Sequence, residues 1–248
     1  MSSPITLQDF HAKALADYGI ADLWPEAVLK EAKTKKEHIT KEIDALETFP
    51  FVTIDGEDAK DFDDAIFCEF SDHGFHLKVA IADVSFYVKE GSALDLEAAK
   101  RTTSVYMPKK VVPMLPEKLS NELCSLQPNK RRRCLCIEMD FDKDGYISSY
   151  KFQRGIIKSV ARLTYTEVEN QLINGVKDSD YAESLKAAIA LFNKLIINKS
   201  YRGALDFTIS EPLVQTNSDG DIKHIADRKR LNSHKLIEEF MLAANISA

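Results

Sequence analysis

Phe51-Val-Thr-Ile-Asp55-Gly-Glu-Asp58-Ala-Lys-Asp61-Phe-Asp63-Asp64-Ala65-Ile-Phe-Cys68 decides how the rest of this chain reads. Six acids fall between Asp55 and Asp64: Asp55, Glu57, Asp58, Asp61, Asp63 and Asp64. Phe51, Val52 and Ile54 lead into the run, and Ala65, Ile66 and Phe67 lead out, with the β-branched and aromatic character of strand ends. A dense negative cluster is thus delivered between two pieces of core. Like charges in close quarters raise one another's pKa, and partly buried carboxylates need partners. Hard divalent cations are the natural ones, and Mg²⁺ keeps waters or phosphate oxygens beside a few carboxylates. Two such ions can activate a water and hold the leaving oxygen of a phosphodiester. In extended backbone Asp61 and Asp63 point one way and Asp64 the other. A turn is therefore needed to gather Asp55, Asp61, Asp63 and Asp64 into a cage.

Two blander readings compete. A solvated acidic surface loop leaves Phe62, Ala65 and Ile66 within the run without a reason. An EF-hand loop started at Asp61 would put Ile66 at the obligatory Gly and Asp72 at the bidentate Glu.

Ile54 through Ala65 is similar to the signature of the RNase II/RNase R family, the RNB-type 3′→5′ exoribonucleases, and its Gly-Glu-Asp-Ala version resembles the ribonuclease R branch. The resemblance continues through Val79-Ala-Ile-Ala-Asp-Val-Ser85, Thr103-Ser-Val-Tyr-Met-Pro108 and Pro113-Met-Leu-Pro-Glu117. It runs on through Leu119-Ser-Asn-Glu-Leu-Cys-Ser-Leu126, Ala161-Arg-Leu-Thr-Tyr165 and His234-Lys-Leu-Ile-Glu-Glu239, in the family's order. It implies an α+β fold, a truncated RNB-type catalytic domain with a mixed or antiparallel sheet flanked by helices. A helical arm over 1–48 would lead into that domain over 49–248. The implied reaction is hydrolysis of single-stranded RNA from its 3′ end to 5′-mononucleotides by a two-metal mechanism, with Mg²⁺ or alternatively Mn²⁺. Asp55, Asp61 and Asp64 would hold the ions, and Asp63 would bind the second ion or orient the attacking water. Tyr106 would pack on the RNA near the scissile end and limit the final product. Tyr165 and Phe207 would clamp the terminal bases, and Glu238, rather than Glu239, would contact the terminal nucleotide. By the same pattern, cold-shock-type domains, a C-terminal OB-fold and a catalytic arginine lie outside these residues. A cytoplasmic location and other RNA-decay proteins as partners go with it. The competing readings are a non-catalytic RNA-binding or structural module, and a metal-dependent phosphodiesterase on another substrate. The intact set of aspartates weighs against the first.

The 248 residues suffice for one large domain or two small ones, and 44% apolar with 29% charged residues argues against disorder. No apolar run approaches the ~18 residues of a membrane span, and Met1-Ser-Ser-Pro-Ile lacks a signal pattern. Cys68, Cys124, Cys134 and Cys136 show no zinc spacing and read as buried free thiols. The net charge of −6 argues against a stand-alone nucleic-acid binder. Basic surface is expected at Lys130–Arg133 and Asp227–Arg230.

Local patterns supply the rest. Helices are expected over 6–18, capped by Thr6 with Asp9, from Pro25 to about Lys35, over 92–103 with Ser92 and Asp95 as a capping box, and over 165–173, 180–198 and 231–248. The last should bury Leu236, Ile237, Phe240, Met241 and Ala244. Hairpins are expected around 71–74, 142–145 and 217–220. Arg202–Phe207 should enter a strand. Pro108, Pro113 and Pro116 make 103–126 read as a stiff irregular loop. Asp83, at a strand end, reads as a turn cap rather than a metal ligand.

Overall fold

The structure, a computed structural model, describes residues 6–39, 44–204, 211–217 and 222–248. Its elements are α1 (Leu7–Asp17), α2 (Glu26–Thr34), β1 (Asp44–Ala45), β2 (Val52–Asp55), β3 (Asp64–Ser71), β4 (Gly74–Ala82), α3 (Val84–Tyr87), α4 (Ala93–Arg101), β5 (Val105–Met107) and β6 (Lys110–Val112). A π-helix (Lys118–Leu123) follows, then β7 (Arg131–Asp142), β8 (Ile147–Lys158), β9 (Ala161–Thr164), α5 (Tyr165–Asn174), α6 (Ala182–Tyr201), β10 (Glu211–Thr216), β11 (Ile222–Arg228) and α7 (Asn232–Ser247). They form two compact units interleaved in sequence. One holds Met1–Lys35, Val88–Lys118 and Asp206–Lys229; the other holds Lys36–Tyr87, Leu119–Leu205 and Arg230–Ala248. As a compact unit, the N-terminal arm thus ends at Lys35 and shares its unit with two later segments.

The second unit is built on a seven-stranded sheet of order β1-β8-β7-β4-β3-β2-β9. Strands β2, β3, β4, β7 and β8 pair antiparallel, while β1 lies parallel to β8 and β9 parallel to β2. The mixed sheet flanked by helices is the architecture expected. Gly74 opens β4 with φ +150°, and a Cβ there would stand 2.3 Å from the Phe141 carbonyl oxygen, so the strand start tolerates only glycine. Asp142 makes the β7–β8 turn by accepting the amides of Asp144 and Tyr146, each at 2.9 Å. One sheet face packs Leu77, Val79, Met139 and Phe141 against Leu185 and Leu191 of α6 and Leu236 and Phe240 of α7. Those positions recur at the helical period read from sequence. Met241 is half-buried rather than buried.

Lys78 and Glu138, neighbours across β4 and β7, form a buried ion pair at 2.5 Å, and the Lys78 ammonium lies 4.5 Å from the centre of the Phe49 ring. The basic run 130–133 is not the open patch expected. Arg132 and Arg133 are buried. Arg132 reaches Glu37 and the Ser125 carbonyl, Arg133 stacks on Phe86 at 3.7 Å, and Arg131 pairs with Glu47 at 2.6 Å. All four cysteines are free and buried.

In the other unit Thr6 and Asp9 close the expected capping box on α1. Ser92 caps α4 by accepting the Asp95 amide, but the Asp95 carboxylate turns to the Gly91 amide instead of closing a box. Arg101 ties α4 down by stacking on Trp24 at 3.6 Å and by donating to Glu97 and to the carbonyls of Leu23 and Pro113. The stretch 103–126 is not irregular. It folds β5 back on β6, because its prolines sit outside the paired residues, and the π-helix that follows lies in the sheet unit from Leu119 on. Strands β10 and β11 pair antiparallel as expected, with the turn residues 218–221 outside the described part. Among the described residues no helix is long and apolar enough to cross a membrane.

Candidate active site

Asp55 closes β2 and Asp64 opens β3, so residues 56–63 form a loop that carries the acids between two adjacent strands. The loop is anchored by residues far away in sequence. Ser125, fully buried, accepts the Phe62 amide at 3.1 Å and donates to the Lys60 carbonyl at 2.8 Å, and the Leu126 amide donates to the Phe62 carbonyl. The Ala82 amide donates to the Asp63 carbonyl. Arg162, on β9, donates to the carbonyls of Gly56 and Glu57, and Thr166 donates to the Glu57 carboxylate at 2.6 Å. Phe62 is buried, which explains an aromatic residue inside an acid run and removes the solvated-loop reading.

The aspartates are near enough to perturb one another. Burial, then the charges of Asp55 and Asp63, push Asp64 up to about 7. Burial, then Asp61 and Asp63, push Asp55 up to about 6, against a downward pull from Arg162. Asp63 also rises to about 6, through burial and then Asp61. Asp63 keeps an exposed side, while Asp55, Asp61 and Asp64 are half-buried. Among the described residues no three His, Cys, Asp or Glu groups meet as a ready-made metal cage. The chemistry of the set still fits a hard cation: four carboxylates crowd one loop, and Asp55 Oδ2 is buried with no hydrogen-bond partner.

Raised acid pKa values lower stability as pH rises. Each of the three carboxyls titrates above its ordinary 3.8, so the folded chain holds protons that the unfolded chain has released. The stability they add is complete below the ordinary 3.8 and is lost as pH climbs from there through about 6 to 7. Asp64→Asn is therefore expected to raise the metal-free Tm at pH 8 by about 2–4 °C or more. The gain over wild type should shrink as pH falls toward about 5, where Asp64 is itself neutral. Thermal scans across that range check it, and a variant no more stable than wild type at pH 8 would contradict the buried-charge account.

The other expected site residues are placed as follows. Tyr165 begins α5, half-buried, its ring stacked on His234 of α7 at 4.0 Å and 18°. His234 Nδ1 accepts the Leu231 amide at 3.1 Å, which leaves its ring proton on Nε2. Glu169 of α5 accepts the Ser233 amide at 2.9 Å, so α5 also caps α7. Glu238 is engaged by Lys199 and Arg230, and Glu239 is buried against Lys199 at 2.8 Å. Tyr106 lies exposed on β5, in the other unit. Phe207 lies outside the described residues. Asp83 caps its turn through its carbonyl, which accepts the Phe86 amide, but its carboxylate is buried beside Arg133 and Arg154. Sequence reading missed Ser125, Arg162, Thr166 and the His234 ring. The first three sit beside or inside recognised motifs, but nothing local shows that they reach the acid loop.

A family profile described as the RNB domain matches residues 43–248. Ribonuclease R of Escherichia coli is 44% identical over 245 residues, which is 95% of this chain and 30% of that protein. Mycoplasma genitalium RNase R in complex with double-stranded RNA superposes with a TM-score of 0.91 at 33% identity, over 96% of this chain and 44% of that one. The same enzyme in complex with ribose-methylated single-stranded RNA gives 0.89 at 32%, over 96% and 38%. The chain thus spans under half the length of these relatives. The profile covers well over half of the chain, and the chain belongs to the RNB family.

Proposed function

We propose that this chain carries the acid centre of a metal-dependent ribonuclease that removes 5′-mononucleotides from the 3′ end of single-stranded RNA. The observation that carries the reading is the anchored loop that crowds Asp55, Asp61, Asp63 and Asp64, with Asp55 Oδ2 left without a protein partner. Asp55, Asp61 and Asp64 would hold Mg²⁺, with Mn²⁺ able to replace it. Bound there, the ion would supply Lewis-acid polarisation of the phosphate and a lowered pKa for the attacking water. Asp63, the exposed member, would be the carboxylate that orients that water. Ser125 and Arg162 hold the loop backbone and Thr166 holds the Glu57 carboxylate, which limits how far the loop must reorganise for these roles.

Tyr165 offers a flat ring already held in place by His234, so a base can stack on it with little ordering cost. Tyr165→Ala is expected to weaken binding of a short single-stranded RNA by about 1–3 kcal/mol, roughly 5- to 150-fold. Mg²⁺ affinity should stay within about twofold. Fluorescence titration with labelled RNA and calorimetry with Mg²⁺ check the two halves, and equal RNA affinity would remove Tyr165 from the clamp.

The deciding experiment is digestion of 3′- and 5′-labelled RNA and DNA oligomers by the full chain with Mg²⁺. Trimming of RNA alone from the 3′ end supports the reading. Binding without trimming would make this a non-catalytic RNA-binding module, and cleavage of DNA or small esters would make it another phosphodiesterase.

A further inference from the structure

Arg162 belongs to the Ala161–Tyr165 motif, yet none of the roles above that touch RNA or an ion is assigned to it. It sits on β9 opposite Thr53 of β2, two residues before Thr164, which lies opposite Asp55. One guanidinium nitrogen, Nη2, donates to two consecutive carbonyls of the acid loop, Gly56 at 2.6 Å and Glu57 at 2.5 Å. Its Nε is buried with no hydrogen-bond partner, and the guanidinium lies 5.7 Å from the centre of the buried Phe62 ring. The two carbonyls follow Asp55 directly, so the side chain fixes the bend where the chain leaves β2 and starts to gather carboxylates. An arginine suits this place because the planar guanidinium aims both hydrogens of one nitrogen at the two acceptors.

We propose that Arg162 is the positioning residue of the acid centre: its bridge to the Gly56 and Glu57 carbonyls fixes the bend from which the aspartates close on a divalent cation. The inference rests on reading that centre as an ion site. Its sign separates it from simple electrostatics. Removing a positive charge beside four carboxylates should by itself tighten cation binding. Losing the bridge should weaken it, by the about 10-fold or more typical of groups that orient metal ligands.

The test is calorimetric titration of the full chain with Mn²⁺ at about pH 8, for wild type, Arg162→Gln and Arg162→Lys. Weakening by about 10-fold or more in Arg162→Gln, with an unchanged circular dichroism spectrum, is expected. Affinity equal to or tighter than wild type overturns the proposal and leaves Arg162 a strand staple. Should Arg162→Gln fail to fold, Arg162→Lys decides: it keeps the charge, but its ammonium ends one bond short of the place of Nη2 and loses the bridge, so full wild-type affinity in it is equally fatal. If wild type itself binds no Mn²⁺, the proposed function fails, and hydrogen exchange in metal-free protein decides the present point. Faster exchange confined to residues 56–63 in whichever variant folds supports the positioning role, and unchanged exchange refutes it.

Discussion

Asp63→Asn is expected to lower the rate of mononucleotide release from 3′-labelled RNA by about 10³-fold, with RNA affinity within a few-fold of wild type. Asp63 is the one exposed aspartate of the four, so it is the member able to meet a water that approaches the centre. The amide keeps the shape and the hydrogen-bonding reach of the acid but accepts no proton and carries no charge. The loop should survive, because Ser125, Arg162 and Thr166 grip other residues of it and the Asp63 carbonyl takes the Ala82 amide whatever the side chain is. Loss of rate without loss of binding would show an interaction made only in the transition state. Single-turnover assays with Mg²⁺ at saturating protein make the measurement. A variant within about tenfold of wild type would take Asp63 out of the chemistry.

Lys78→Met is expected to produce the largest loss of stability. Lys78 and Glu138 are both almost fully buried, and each is the other's closest charge. Removing one partner of such a pair leaves an uncompensated buried charge and costs about 3–5 kcal/mol. Lys151 at 3.2 Å, largely exposed, His76 at 3.5 Å and the Gln153 amide also meet Glu138, so they cushion the loss without cancelling it. The low end of the range, about 3 kcal/mol, corresponds to a Tm fall of about 6–12 °C for a protein of this size. Adding Glu138→Leu should recover most of that loss, since a matched apolar pair needs no counter-charge and Lys151 can return to water. Thermal and urea unfolding of the two single variants and the double variant give the cycle. A single-variant cost under about 1 kcal/mol, or no recovery in the double, would contradict this account of the buried pair.

The acid loop was legible because its signals are local: six acids between two apolar strand ends, with Phe62 inside the run. Both hairpins of the main sheet were legible for the same reason, since Asp142–Gly145 and Ser71–Gly74 carry their turn chemistry in a few residues. The helices followed from period and caps, as in the Thr6–Asp9 box. What stayed hidden is everything that joins distant segments. The parallel pairing of β2 with β9 has no sequence mark, yet it brings Arg162 and Thr166 to the acid loop. Charge content misled at 130–133, because arginines on a strand were read as surface while Glu37, Phe86 and the Ser125 carbonyl take them inside. Prolines misled at 103–126 because Pro108 falls in the β5–β6 turn and Pro113 and Pro116 follow the ribbon instead of breaking it.

The anchors of the acid loop also set a schedule. A growing chain that has reached Asp64 already carries every acid of the cluster, but Ser125 and Arg162 to Thr166 have still to be made. Pairings across such sequence separations are slow to close and form only once both ends exist. During synthesis the acid loop therefore lacks its anchors, and its fixed course is complete only once translation has passed Thr166.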